Sequence, residues 1–347
     1  MPNSGSQVIL CDLPIRFDTY NGCGHACSYC FTLRRKDIAV INPGESPAVL
    51  MNFIQGKRSG ETAWCDWDIP LHWGGLSDPF QPVERTQKRS LAALEVFRKT
   101  QYPFVVSTKS ALIAEEPYLS MIRECNCVVQ FSACSPRFDA IEKGAATYSQ
   151  RIDAARTIAQ YKRVNIRVQP YIPGIFKDVL SGIELFADAG VRGIIVEGMK
   201  YQKKVSDILI HHGGDFVYPV EMLLPQFRAI KDKAHAFGLK FYCGENRLRA
   251  LGDELCCCGI EGMGWRENKA NLNHILFDPD GVEFTERMKM PGGCDAFVAI
   301  TQQTIDRKRM KMSSFAKEIV KHAKKPFAYY CNKSGTIYRP AGESVPK

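Results

Sequence analysis

The chain lacks any apolar run approaching the roughly 20 residues that span a bilayer, and Met1 to Asp12 carry neither the basic start nor the apolar core of a signal peptide. Neither membrane insertion nor export is expected, and the expected compartment is the cytoplasm. No internal repeat and no long low-complexity linker divides the 347 residues, so one main domain with an appendage is expected. A disulfide framework is disfavoured too. Fourteen cysteines in a chain without an export signal stay reduced thiols, some of them available to metal.

The formal charge of +9 is concentrated late in the sequence. Arg307, Lys308, Arg309, Lys311, Lys317, Lys321, Lys324 and Lys325 stand against one acid, Glu318. Such a stretch attracts phosphates with a strength that falls as salt rises. It reads equally well as the solvated side of a helix capped by Ser313 or Ser314 and running to about Lys324.

From about residue 15 to 200, short apolar runs alternate with longer amphipathic ones, the pattern of βα units on a parallel sheet. The spacing predicts strands at 15–20, 70–75, 103–108, 127–133, 164–171 and 192–197. It predicts helices at about 46–57, 84–100, 116–125, 149–161 and 178–189, the last closed by Gly190. The expected fold class is α/β, a partial (β/α)6 TIM-like barrel over residues 1–200. Residues 201–347 form a C-terminal extension, Cys-rich and then basic, that packs on or closes the barrel; within it an amphipathic run at 219–237 leads to a strand-like stretch at 239–243.

Three cysteines, Cys23-x3-Cys27-x2-Cys30, follow the first predicted strand. Three thiolates so close can hold three irons of a four-iron cluster and leave the fourth open. Zinc is the competing reading, but it takes four protein ligands or three plus water, and no His or Cys pair at zinc spacing follows soon after. An open iron can be chelated by the amino and carboxyl groups of S-adenosylmethionine, whose sulfonium bond then accepts one electron and releases a 5'-deoxyadenosyl radical. The expected cofactors are therefore a 4Fe-4S cluster on Cys23, Cys27 and Cys30 and S-adenosylmethionine, with a flavodoxin- or ferredoxin-type reductant. Active groups of parallel α/β folds gather at the C-terminal ends of strands, where these cysteines fall.

With these residues the sequence resembles the radical S-adenosylmethionine superfamily. The resemblance implies that Tyr29 lies against the adenine, and that Gly74 and Gly75, after the second strand, let main-chain carbonyls approach the methionyl amino group. The run Ser77-Asp78-Pro79-Phe80-Gln81-Pro82-Val83-Glu84, with Asn21-x-Cys23-x-His25-x-Cys27 upstream, is similar to the spore photoproduct lyase branch over roughly residues 15 to 200. That implies a partial barrel, a nucleobase or nucleotide substrate, and Ser77 and Asp78 at the cofactor. In the lyase the residue before this Ser-Asp pair is a cysteine that donates a hydrogen atom to the repaired thymine. Here it is Leu76, which argues against the repair reaction itself, although Cys65 or Cys134 can in principle reach the same space.

Further polar residues stand where strand ends should meet the cofactor: Lys109 after the third strand, Ser132 in the fourth, Arg151 opening the next helix, Gln169 on the fifth and Glu197 ending the sixth. The methionyl carboxylate needs a cation, for which Arg151 is the first choice and Lys109 the second. Ser132 and Gln169 suit ribose hydroxyls, and Glu197 suits cofactor or substrate. Each has the alternative of a surface ion pair or an internally satisfied polar group.

Cys125, Cys127 and Cys134 flank a strand and read as buried small hydrophobes. Cys243, Cys256, Cys257, Cys258, Cys294 and Cys331 read as packing residues or as donors to a second iron–sulfur cluster, with Cys243, or else Cys134, as a thiol that passes a hydrogen atom to a product radical. Trp64, Trp67 and Trp73 offer either stacking surfaces or core packing. The expected function is radical rearrangement or modification, isomerase- or lyase-type, of a nucleobase, above all a modified pyrimidine in DNA. The alternatives are radical modification of a peptide or small metabolite, and a non-catalytic metal-containing protein that binds nucleic acid.

Overall fold

The computed structural model describes residues 11–34, 40–58, 65–212 and 215–278, with Pro2, Thr62, Gly281 and the paired strands Tyr329–Cys331 and Thr336–Tyr338. The basic stretch 307–325, where a helix to about Lys324 was expected, Trp64 and Cys294 lie outside the described residues, and of Cys331 only the strand position is described.

Seven strands form one sheet: β1 (Arg16–Phe17), β2 (Leu71–Trp73), β3 (Phe104–Thr108), β4 (Cys127–Ser132), β5 (Arg163–Tyr171), β6 (Gly193–Gly198) and β7 (Lys240–Cys243). They lie in chain order, each parallel to its neighbour, and among the described residues β1 and β7 are the two edges. This is a partial TIM-like barrel. Six strands were expected; the seventh comes from beyond residue 200, where the helix Val220–Ala236 returns the chain so that Lys240 pairs with Gly193.

The sequence of β5 shows how the layers form. Arg163, Asn165, Arg167 and Gln169 alternate with Val164, Ile166 and Val168, so one face is apolar and the other polar. The apolar residues are fully buried, with helices α1 (Tyr148–Ala159) and α2 (Phe176–Asp188) burying Ile152, Ala155 and Ile158, and Val179, Ile183 and Phe186, at helical spacing. Thr147 and Gln150 cap α1 reciprocally, and Gly190 at φ +75 turns the chain after α2. Ile166→Val should remove one methylene from this packing and lower the unfolding free energy by about 1 kcal/mol. Anaerobic urea titration of the two chains would measure it.

One expectation changes. The helix predicted at 84–100 is broken into Glu84–Gln87 and Arg89–Thr100 by Lys88 at φ +50. Glu84 is fully buried and accepts bonds from the Ser90 and Leu91 amides at 2.9 Å, as well as from the hydroxyls of Tyr118 at 3.0 Å and Tyr20. Its carboxylate thus caps the second helix, and the chain kinks to let it. Trp73 takes the core-packing alternative: it packs at 5.6–5.8 Å against Phe17, Phe80, Phe97 and Phe104 and is fully buried. It is core and cannot stack on a base.

Beyond β7 the chain crosses the N-terminal ends of the strands. Asp253 donates its amide to Phe241 at 2.8 Å, the Cys258 carbonyl accepts from Gln130 Nε2 at 3.0 Å and Asn165 Nδ2 at 3.3 Å, and the Asn268 amide reaches the Asp12 carbonyl at 2.9 Å. The stretch therefore spans the open sheet from one edge to the other. No helix among the described residues is long and apolar enough to cross a membrane.

Candidate active site

The loop carrying Cys23, Cys27 and Cys30 leaves the C-terminal end of β1 after Tyr20–Asn21 pairs with Asn42–Pro43. Cys27 is buried and the other two are half-buried, all as free thiols. Burial pushes Cys23 up to about 12 and Cys27 up to about 11, so these groups ionise only when a metal replaces the proton. Between them Ala26 is held at φ +49, a conformation that disfavours any side chain by roughly 1–2 kcal/mol and persists only where the surroundings impose it.

Those surroundings are specific. Gly24 donates its amide to Gln81 Oε1 at 2.6 Å while Gln81 Nε2 returns a bond to the Gly22 carbonyl at 3.1 Å. His25 lies between the Gly144 carbonyl, 2.7 Å from Nδ1, and Asp78 Oδ2, 3.1 Å from Nε2. The Gly144 amide bonds the His25 carbonyl at 2.9 Å, and a Cβ on Gly144 would strike the Gly24 carbonyl oxygen. Asp78 also accepts from the Phe80 amide at 2.9 Å, the Thr108 hydroxyl at 2.8 Å and the Lys109 amide at 2.6 Å. Burial alone would raise this carboxyl, but His25 outweighs it and holds it below its usual value; Asp78 in turn raises His25 against the effect of burial.

A second knot flanks the loop. Glu142 is buried, and its oxygens lie 2.6 Å from Arg151 NH2 and 3.5 Å from Lys109 Nζ and accept the Tyr29 hydroxyl. Burial opposes its charge, yet Lys109 and Arg151 hold it below the carboxylate range. Lys109 Nζ also bonds the Ser132 hydroxyl and stands 5.8 Å from the Tyr29 ring centre.

The donor set bears on what metal fits. Among the described residues, the one group of three or more His, Cys, Asp or Glu donors lying within 4.8 Å of one another is Asp12, Cys256 and Glu267. Cys23, Cys27 and Cys30 do not form such a group, and three thiols are a donor set that an iron–sulfur cluster can use.

No protein-family model matches the sequence, and no curated protein matches it. Solved structures do. Spore photoproduct lyase complexed with dinucleoside spore photoproduct superimposes with a TM-score of 0.53 at 15% identity, covering 70% of this chain and 79% of that one. A double mutant of the lyase with bound AdoMet and dinucleoside spore photoproduct gives 0.53 and 15%, covering 70% and 78%. The chain has the fold of spore photoproduct lyase.

Within this lyase-like fold the expected site residues divide. Gly74 sits at φ +90 with the Ser107 carbonyl where a Cβ would be, and Gly75 faces the Arg16 side chain. Ser77 donates its hydroxyl to the Tyr20 carbonyl at 2.6 Å. With Asp78 it ties the second strand to the cysteine loop. Arg151, the first choice for a methionyl carboxylate, is 1% exposed and committed to Glu142, to Asp139 at 3.2 Å and to the Ser132 carbonyl at 2.7 Å. It is a support for Glu142. Lys109, the second choice, is half-buried at the edge of the knot.

The Ser132 hydroxyl reaches the Gln169 carbonyl at 3.2 Å, Gln169 Oε1 accepts from Arg167, and Glu197 sits between Arg167 at 3.0 Å and Lys200 at 2.7 Å. Cys134 is buried beside Lys109, Glu142 and Arg151, and burial pushes its thiol up to about 12. Cys243 is fully buried with its sulfur 3.6 Å from the Glu245 carbonyl, and burial raises it further still. Cys65 is fully buried against Trp67 and Arg58.

Sequence reasoning missed two sets. Glu142 and Gly144 hold the loop from elsewhere in the chain and carry no local signal, while Gln81 stood within the quoted Ser77–Glu84 run without a role assigned to it. The other set is a polar row across the concave face: His72 Nε2 to Ser107 Oγ at 3.0 Å, Ser107 to Gln130 Oε1 at 3.0 Å, and Gln130 to Arg167 NH1 at 3.3 Å. Burial and Arg167 push His72 down to about 3, so it is neutral in this row. The strict polar alternation of β5 was the signal that pointed to it.

Proposed function

We propose that this chain is a radical S-adenosylmethionine enzyme acting on a nucleobase, in the first place a modified pyrimidine in DNA. What carries the reading is the three-thiol loop at the C-terminal end of β1, in a fold shared with a lyase whose solved complexes hold AdoMet and dinucleoside spore photoproduct. Cys23, Cys27 and Cys30 would hold the 4Fe-4S cluster. With S-adenosylmethionine bound and one electron from a flavodoxin- or ferredoxin-type reductant, that group supplies scission of the sulfonium C–S bond to methionine and a 5'-deoxyadenosyl radical, which takes a hydrogen atom from the substrate.

The protein's own part is positional. His25, Asp78 and Gln81 fix the loop, and Lys109 offers the methionyl carboxylate a cation with Tyr29 beside it. The row from His72 to Arg167, continued by Glu197, gives a base donors and acceptors on the concave face. A base in a duplex must be flipped out or presented in a single strand to reach it. Leu76 leaves the lyase's thiol position without sulfur, so rearrangement with return of hydrogen from 5'-deoxyadenosine fits this chain better than repair.

Anaerobic enzyme with dithionite, S-adenosylmethionine and deuterated oligonucleotides, nucleosides and peptides tests the reading. Label from a DNA pyrimidine should appear in 5'-deoxyadenosine. Label from peptide alone would move the substrate class, and no 5'-deoxyadenosine from iron-loaded protein would leave a nucleic-acid-binding metalloprotein.

A further inference from the structure

At the opposite ends of the strands from the cysteine loop, a second set of donors comes together. Asp12 lies four residues before β1, and a carboxylate oxygen of Asp12, the Cys256 sulfur and a carboxylate oxygen of Glu267 all lie within 4.8 Å of one another. Asp12 and Cys256 are buried and Glu267 is half-buried. Two carboxyl groups and a thiol gathered away from water repel when ionised, and the arrangement is favourable only when protons or a cation offset that repulsion.

The neighbours orient these donors. Asn271 Nδ2 donates to Asp12 Oδ1 at 3.2 Å, and His274 Nε2 lies 2.5 Å from the same oxygen. Asn271 also donates to the Asn268 carbonyl at 2.7 Å, and the Asn268 amide to the Asp12 carbonyl at 2.9 Å. The carboxylate is thus fixed through one oxygen by two side chains, as outer-shell partners fix a metal ligand.

We propose that Asp12, Cys256 and Glu267 bind one divalent transition-metal ion, zinc before others, at a site separate from Cys23, Cys27 and Cys30. The thiol selects against magnesium and calcium, which take oxygen ligands, and zinc accepts sulfur and carboxylate together. Water would fill the fourth position. The site joins the lead-in to β1 with the segment that follows β7, the two edges of the sheet among the described residues. Its role is a clasp across the base of the partial barrel. The proposal does not depend on the radical chemistry.

The test uses the full-length chain with Cys23, Cys27 and Cys30 all changed to alanine, so that no metal resides in the loop, kept anaerobic and reduced. After equilibration with zinc and removal of the excess, elemental analysis should find about one zinc per chain, and zinc should raise the melting temperature. Glu267→Gln and Cys256→Ser in that background should each remove the bound zinc and its thermal shift. His274→Ala should weaken zinc affinity about 10- to 100-fold while circular dichroism stays unchanged. Zinc retained equally by the Glu267→Gln and Cys256→Ser chains would overturn the site. So would no zinc in the parent chain above a buffer blank. Should the triple variant fail to fold, the iron-reconstituted wild-type chain serves instead. There the zinc must add to the iron without displacing it, and Glu267→Gln must remove the zinc alone.

Discussion

Cys27→Ala is expected to abolish both the brown chromophore of the reconstituted protein and its formation of 5'-deoxyadenosine. On the proposed assignment this thiol is one of three donors, and two cannot hold a cubane in place of three. Its removal should spare the fold, because the bonds that shape the loop use other atoms: Gly24 to Gln81, His25 to Asp78 and Gly144, and the Ser28 amide to the Ile141 carbonyl at 2.9 Å. Iron per chain, 5'-deoxyadenosine by chromatography and far-ultraviolet circular dichroism separate the two effects. Cys125→Ala is the control, since Cys125 is 1% exposed with its sulfur 3.8 Å from the Leu94 carbonyl and touches nothing in the loop; its iron content should not change. Cleavage that persists in Cys27→Ala would sink the assignment of the loop.

The parallel sheet was legible because strand and helix periods differ, and β3 to β6 fall within two residues of their expected bounds. What the period does not carry is a side chain that caps a helix from outside it, which is why the kink at Lys88, set by buried Glu84, was not foreseen. The spacing of Cys23, Cys27 and Cys30 marked out their loop, and its place after β1 was expected. Their supports were not, because Gly144 lies 119 residues from the His25 it contacts, and a close backbone approach leaves no local pattern. Arg151 shows the limit in the other direction. A cation opening a helix near strand ends is chemically suited to a carboxylate, and the carboxylate it meets is Glu142 of its own chain.

Asp78→Ala is expected to have the largest effect on stability, about 3–5 kcal/mol, since it removes one side of a buried ion pair and leaves its partner uncompensated. It also strands the Phe80 and Lys109 amides and the Thr108 hydroxyl, which all bond that carboxylate. Iron retention should fall with stability, because His25 lies between two of the cluster cysteines and loses the group that holds it. Asp78→Asn, which keeps the shape and one oxygen, should lose less of both. The pH dependence of the iron-free chain distinguishes this account from simple cavity formation. His25 is raised above its ordinary value and Asp78 lowered below its own, so their joint contribution is complete between about pH 4 and pH 6.5, the unfolded-state values. It is lost as pH rises through the folded His25 value and as pH falls through the folded Asp78 value. Denaturant titrations extended below and above that range should show this two-sided loss in the parent chain. In Asp78→Ala, where His25 has no anion to face, the contribution should vanish; a stability profile of unchanged shape in that variant would refute the coupling.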